Sequence, residues 1–376
     1  MIPRNLGCPR LPIASSIGSM DGTRARRAKQ EIHYACHRGL DSQALALELR
    51  RLVGTIVPFD LSCWHPTDPA TGLIAGGVFD IPPTLTARLS EIEFFDNDFN
   101  SLAELATRRR PVGILREETG GQPERSTRYR EILRPLGLTE ELRAAFVTRS
   151  GTWAAAGLFR QRGAPAFNTE ELRFIAGITS MVAEGFRSSL IISTIDTDQA
   201  PETPGIILFD NDGTVHDISP TAARWIAELH DDRPTPLPIQ IEQVASAARA
   251  ASQPESANKS ARARVLTRSG RWLMLHGTRL SSGDRTAVII EAAPPAAVAP
   301  LIVEAYGLSD RERQIVPLVL RGASTQEIAR LLSLSPLTVQ DHLKAIFDKM
   351  AVHSRREIAG KIFFDHHFPA LFGEKP

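Results

Sequence analysis

Between residues 308 and 363 four serines each open a short apolar-periodic run, and no other stretch narrows the fold as far. Ser309 precedes DRERQIVPLVLRG, with Glu312 three residues on. In that spacing the cap hydroxyl and the glutamate each satisfy the other's backbone amide. Ser324 and Glu327 repeat the pattern. Ser335 precedes Pro336, a first helical position where the missing N–H costs nothing. Ser354 opens the last run, and Gly322 stops the first. Helical spacing then turns Ile315, Val316, Val319 and Leu320 inward, followed by Ile328, Ala329, Leu331 and Leu332. Val339, Leu343, Ile346 and Phe347 follow, and Ile358 and Ile362 bury the last helix. Helices this short are marginal in water alone. They must share one core, so the segment predicts an all-α domain of four helices.

The second and third helices are joined by LSLS and flanked by two supports, which is a helix-turn-helix arrangement. The small Ala329 suits a close crossing. The third helix would enter a major groove with Pro336, Leu337, Thr338, Gln340, Asp341 and Lys344 near base edges. The whole segment resembles the LuxR-type helix-turn-helix of LuxR, NarL and FixJ regulators. The matching pieces are Leu308-Ser309 with Arg311-Glu312, Gly322-Ala323-Ser324 with Glu327-Ile328-Ala329, Leu334-Ser335 with Thr338-Val339 and His342-Leu343, and Lys349 to Val352 with Ser354-Arg355. That resemblance implies double-stranded promoter DNA as a partner, and RNA polymerase where the regulator activates. It places Thr338, Gln340, Lys344 and Lys349 on or near DNA, with His342 at the boundary with the backbone. Thr325 and Arg355 complete the expected DNA-facing set. Gln340 stands where the family usually carries a basic residue, and is suited to a bidentate contact with adenine. Arg311 and Glu312 are expected to pair and hold the first helix against the others.

Residues 309–363 carry nine basic and six acidic side chains. A single copy is therefore a weak ligand for a polyanion, and a homodimer on a two-part site is the expected remedy. The whole chain has a net charge of only +1, so no global field draws it to nucleic acid.

A length of 376 residues predicts two or three domains. Cys8, Cys36 and Cys63 are odd in number and form no C-x-x-C pair, against a disulfide framework or zinc site. The first residues are broken by Pro3, Pro9 and Pro12 and read as a disordered lead (1–22) rather than a signal peptide. No apolar stretch approaches the ~20 residues of a membrane span. A cytoplasmic protein without membrane contact is expected. G-x-x-x-x-G-K, G-x-S-x-G and H-E-x-x-H are all missing, so neither catalysis nor a cofactor is expected.

Upstream, the basic run Arg24, Arg26, Arg27 and Lys29 reads as a solvated helix face. Asp41 caps a helix whose Leu45, Leu49, Leu52, Val53 and Ile56 share a face, ended by Pro58. FDLSCWH and LIAGGVF read as strands around the turn DPATG. FNSLAELATRRR reads as a helix up to Pro111. TEELRAAFVTRSGTWAAAGLFRQRG reads as helix or strand, a turn at Ser150-Gly151, then strand. Residues 169–193 read as one long helix opened by Asn168 or Thr169, with a stripe from Leu172 through Ile178 and Phe186 to Leu190. GIILFDNDGTVHDISPTAARWIAEL predicts strand, Asp-Gly turn, strand and helix. SAARAASQPESANKSA is expected as loop or weak helix, before strands in RARVLTRSGRWLMLHGTRL and RTAVIIEA.

By element order, and by FDLSCWHPTDPATG, GTWAAAGLFRQRG and FNTEELRFIAGITSMVAEGF, residues 23–194 resemble a GAF domain. That implies a small-molecule site between sheet and helices, or a dimerisation scaffold. Cys63, Trp64, His65, Phe94, Phe95 and Trp153 are the candidate pocket residues, ordinary core being the alternative for each. Residues 203–292 resemble a reduced PAS domain with Ser219 where Asn is frequent. A Pro/Ala linker (293–300) leads to the helix-turn-helix at 301–376. The expected fold class is α+β multidomain. The chain is read as a DNA-binding regulator modulated by a small-molecule effector, or as a constitutive binder whose upstream domains only dimerise.

Overall fold

The structure is a computed structural model that describes residues 22–192, 203–229, 237–251, 261–280, 285–294, 297–298, 301 and 304–364. The proposed lead up to residue 21 lies outside them, as do the turn at Gly283-Asp284 and the side chains of Phe94, Leu190 and Ile362.

Two helices open the chain, α1 (Gly22–His37) and α2 (Ser42–Gly54). Asp41 caps α2 by accepting from the Gln43 and Ala44 amides at 2.9 and 2.8 Å. Leu45, Leu49, Leu52, Val53 and Ile56 are all buried. β1 (Leu61–Pro66), β2 (Val78–Phe79), α3 (Thr86–Phe95), α4 (Leu102–Thr107), β3 (Val112–Ile114) and α5 (Leu115–Glu118) follow. Then come β4 (Leu138–Thr148), β5 (Gly151–Gln161), α6 (Thr169–Ala176) and α7 (Thr179–Ile192). The five strands form an antiparallel sheet in the order β2-β1-β5-β4-β3.

Alternation along each strand divides the first sheet into two faces. Trp64 and Phe146 stack at 5.8 Å and join Trp153 and Leu158 in the core that also takes in α1, α2 and α7. Phe159, one residue beyond Leu158, joins Ile81, Ile92, Leu133 and Leu138 in a separate cluster. α1 and α7 lie close together: a Cβ on Gly185 would stand 2.7 Å from the Cys36 Sγ, so only glycine allows that spacing.

The second sheet repeats the connectivity of the first. β6 (Gly205–Asp210), β7 (Val215–Ile218), β8 (Arg262–Leu266), β9 (Trp272–Arg279) and β10 (Arg285–Ala292) pair antiparallel in the order β7-β6-β10-β9-β8. The Asp-Gly turn between β6 and β7 is where the sequence put it, with Gly213 at φ 87°. α8 (Pro220–Leu229) and α9 (Ile239–Ala250) cover the sheet, around the fully buried Trp225.

Five elements differ from the sequence reading. The 139–161 ambiguity resolves into a β4–β5 hairpin. LIAGGVF keeps only Val78 and Phe79 as strand, because Gly76 and Gly77 adopt φ of 151° and 135°. α4 stops at Thr107 rather than at the proline. The long helix is two, α6 and α7, divided at Gly177, whose amide closes α6 by bonding the Arg173 carbonyl at 3.0 Å. The alanine-rich stretch, expected as loop or weak helix, begins inside α9, which is buried over ten of its residues. Its small side chains let it pack on both sides: a Cβ on Gly277 of β9 would lie 2.6 Å from the Val244 carbonyl, and α3 lies against its other face.

α9 is the seam between the two sheet units. Gln243 Oε1 accepts the Ile74 amide at 2.7 Å, and Arg249 reaches Glu91 at 3.4 Å. Arg264 grips Asp68 through Nε and Nη2 at 2.8 and 2.7 Å. Glu242 accepts from the Thr86 hydroxyl. Burial pushes the Glu242 carboxyl up to about 7, Thr86 opposing and Glu91 reinforcing the shift. A carboxyl raised in the folded state favours folding at low pH, and that contribution is lost as pH rises from the ordinary carboxylate range to about 7. Glu242→Gln should therefore gain stability over wild type as pH goes from 5 to 8, by up to ~3 kcal/mol. Thermal melts of both proteins across that range check it; a pH-independent gap between them would refute it.

The C-terminal unit is α10 (Asp310–Leu320), α11 (Thr325–Leu332), α12 (Pro336–Met350) and α13 (Arg355–Phe364). Its core holds Ile315, Val316, Ile328, Val339, Leu343, Ile346 and Ile358. Leu320 and Leu331, expected inside, are 40% and 62% exposed. At 100° per residue each lies roughly 90–110° from the centre of its helix's buried arc.

Candidate nucleic-acid interface and interdomain cavity

The caps of the C-terminal unit form as their spacing requires. Ser309 and Glu312 make a reciprocal capping box on α10, and Ser324 and Glu327 make another on α11. Ser335 Oγ accepts the Thr338 amide at 3.0 Å with Pro336 at the first helical position of α12. The turn between α11 and α12 closes through Ser333 at φ 54° and a Leu334 amide bond to the Ala329 carbonyl at 2.8 Å.

Two kinds of residue emerge among the ten expected at DNA. Pro336, Leu337, Gln340, Asp341 and Lys344 are exposed along α12, and Leu337 is 68% exposed. Gln340, Asp341 and Lys344 make no hydrogen bond or ion pair among the described residues, so this face is uncommitted. Thr338 and His342 are half-buried beside it, and Thr338 shares its hydroxyl with Ser335 at 2.8 Å.

The other three have internal duties. Arg355 donates to the Ala323 carbonyl and to Thr325 Oγ1, both at 2.7 Å, so it ties the start of α13 to the start of α11. Lys349 Nζ lies 2.7 Å from Glu312 Oε2. Burial opposes ionisation of Glu312, but the Lys349 ammonium and the Ser309 amide hold its carboxyl below the usual range. Arg311 and Glu312 do not pair; Arg311 bonds Gln314 at 2.9 Å instead. The i, i+3 partner fits the same helix face, whereas a sequence neighbour does not.

A four-helix unit with a capped, outward-facing third helix defines a helix-turn-helix DNA-binding domain. Residues 307–361 match the family "Bacterial regulatory proteins, luxR family". The transcriptional regulatory protein DesR of Bacillus subtilis (strain 168) is 38% identical over 63 residues, covering 17% of this chain and 32% of that protein. A putative HTH-type transcriptional regulator of Aeromonas salmonicida is 36% identical over 67 residues, 18% of this chain and 34% of its own. The monoamine regulon transcriptional regulator of Klebsiella aerogenes is 44% identical over 54 residues, 14% and 24% of the two chains. The chain thus spans about a third or less of the length of these curated relatives. The solved phage VqmA–DPO complex aligns over 47% of this chain and 90% of that one, at 17% identity and a TM-score of 0.22. That overlap is too loose to define a shared architecture. The C-terminal unit is a LuxR-type helix-turn-helix domain.

The upstream candidates separate by strand face. Cys63 and His65 line a cavity of about 90 Å³ between the first sheet, α3 and α9. Trp64 and Trp153 turn the other way, into the core under α1, α2 and α7. Trp153 Nε1 is engaged by Thr148 Oγ1 at 2.9 Å. Phe95 is half-buried at the end of α3 and does not line the cavity, and the Phe94 side chain is outside the described residues. Alternation in β1 makes the split unavoidable: neighbours in a strand cannot share a face.

Most of the cavity's polar lining was not legible in the sequence, because it comes from distant segments. Arg143 Nη1 and Nη2 meet Glu93 Oε2 at 3.2 and 3.1 Å. Arg128 donates twice to Glu141, at 2.8 Å each. Ser90 comes from α3, and Ile239 and Gln243 from α9. His65 stacks on Phe79 at 5.6 Å. Burial, reinforced by Arg143, drops His65 to about 3, so it is neutral at physiological pH. Among the described residues no group of three His, Cys, Asp or Glu side chains could hold a metal ion, and no helix is long and apolar enough to cross a membrane.

Proposed function

We propose that the chain is a cytoplasmic, non-catalytic transcription regulator that binds promoter DNA as a homodimer and is modulated by a small molecule received upstream. Residues 23–194 serve as a GAF-like unit, 203–292 as a PAS-like unit, 293–300 as a linker and 301–376 as the DNA-binding domain. RNA polymerase is the further partner if the output is activation. The observation that carries DNA reading is the uncommitted face of α12, inside the segment that matches the luxR family. Gln340 is placed to read adenine, Leu337 to meet a thymine methyl, and Lys344 to meet phosphate. Lys349, Arg355 and Thr325 act first by holding the helices at the angle that reading requires, Lys349 and Arg355 adding charge near the backbone. The shared connectivity of the two sheets, with a cavity at their junction, supports a signal-receiving role for the upstream units.

Selection of binding sites from random DNA tests the orientation. Gln340→Ala should relax preference at one position per half-site, by about tenfold or more in base discrimination. An unchanged motif would mean that α12 sits differently in the groove.

A further inference from the structure

We propose that the cavity between the first sheet and α9 binds one uncharged, largely apolar molecule bearing a hydroxyl or carbonyl group, recognised by His65 and Ser90 and enclosed only when both sheet units are present. The role of this site as a signal input rests on the regulator reading above; the site itself does not.

Three features converge on that ligand class. First, two buried polar groups in residues on the cavity wall lack partners among the described residues: the His65 Nδ1 and the Ser90 Oγ, in residues only 6% and 1% exposed. Buried polar atoms in folded proteins are nearly always bonded, so two orphans in residues that line one space call for a polar visitor. His65 is neutral and Ser90 is a hydroxyl, so both match an uncharged partner. Second, the charges of the lining cancel internally. Arg143 is matched by Glu93 and Arg128 by Glu141, all at 3.2 Å or less for their shortest contacts. A charged ligand would be desolvated with no unmatched counter-ion waiting for it. Third, Phe79, Leu89, Leu133 and Phe159 supply an apolar wall of the kind that carries small-molecule affinity.

The second unit is part of the site. Ile239 and Gln243 of α9 close it, and Gln243 is fixed by the Ile74 amide at 2.7 Å. A bound molecule touches both units and so favours the arrangement in which α3 and α9 are together. The units need not change shape for this to matter; the population of the closed junction is what shifts.

Cys63 lines the cavity and offers a direct readout. Burial pushes the Cys36 thiol to about 12, which leaves it unreactive. In a full-length Cys8→Ser protein, methyl methanethiosulfonate labelling then reports on Cys63. The probes are benzyl alcohol and cyclohexanol, against benzoate, benzylammonium and toluene. The two alcohols should slow labelling at least ~5-fold at saturation. Ser90→Ala removes a hydroxyl that bonds none of the described residues, so the fold is not at risk. It should raise the half-protecting benzyl alcohol concentration about tenfold. Protection by benzoate or benzylammonium equal to that by the alcohols overturns the proposal. So does equal protection by toluene, indifference to Ser90→Ala, or no protection at all. DNA affinity measured with and without benzyl alcohol separates the two readings. Protection with constant DNA affinity keeps the site and removes only its role as signal input.

Discussion

Arg128→Met should cost the chain about 3–5 kcal/mol of stability, read as a lowered denaturant midpoint. Arg128 is buried and holds two buried carboxylates. Its Nε and Nη2 each meet Glu141 at 2.8 Å, its Nη1 meets Asp98 at 3.3 Å, and its Nη2 also reaches the Phe99 carbonyl at 2.9 Å. Asp98 further accepts from Ser126 at 2.9 Å and from the Arg128 amide at 2.9 Å. The guanidinium stays charged despite burial because Glu141 and Asp98 surround it. Methionine fills much of the volume but leaves both carboxylates without a cation. Breaking a buried pair costs far more than the net worth of the intact pair, since one charge stays desolvated and alone. The matching triple change, Arg128→Met with Asp98→Asn and Glu141→Gln, should recover most of the loss. A single-variant loss below ~1 kcal/mol would mean that water reaches this cluster.

Lys344→Glu should weaken operator binding about 100-fold while leaving thermal stability within roughly 0.5 kcal/mol of wild type. Lys344 is exposed on α12 and makes no ion pair among the described residues, so the fold does not need it. The unit is only mildly basic and Asp341 already lies one turn before Lys344, so a reversed charge there meets phosphate with little compensation. On the proposed two-part site, two copies would double the effect. The slope of log affinity against log salt should fall by about one for each copy. Lys349→Ala provides the contrast. Its ammonium neutralises the buried Glu312, so that substitution should lower stability before it lowers DNA affinity. Equal DNA binding by Lys344→Glu and wild type at low salt would place α12 away from the backbone.

The helix-turn-helix was legible because local chemistry specifies it. Ser309, Ser324 and Ser335 each satisfy amides within three residues, and such bonds need no distant partner. At Lys349 and Arg355, both expected at DNA, local spacing did not reveal the internal partners, because Glu312 and Thr325 are 37 and 30 residues away. The sheets were legible where a turn was marked, as at Asp212-Gly213. They were ambiguous at Thr139–Val147, where Glu140, Glu141, Leu142, Ala144 and Ala145 carry helical propensity and only pairing with β3 and β5 makes the segment a strand. The cavity was half legible. Cys63 and His65 could be picked as polar residues in an apolar strand, but Arg128, Arg143 and Ser90 enter through tertiary contacts. α9 was missed because a helix buried on two sides carries no one-faced stripe.

That helix also sets the order of events during synthesis. Ile74 and the Gln243 that receives its amide are separated by 169 residues. At about 5–20 residues per second, the ribosome needs roughly 8–34 s to span that gap. Only in the last part of that interval, after α7 ends at Ile192 and before α9 begins at Ile239, does the first sheet have everything it needs except its lid. The nascent chain thus exposes Leu89, Phe79 and the unpartnered Ser90 to the cell until α9 emerges. A molecule that fits the cavity meets its open form first during translation, and meets the closed form only afterwards.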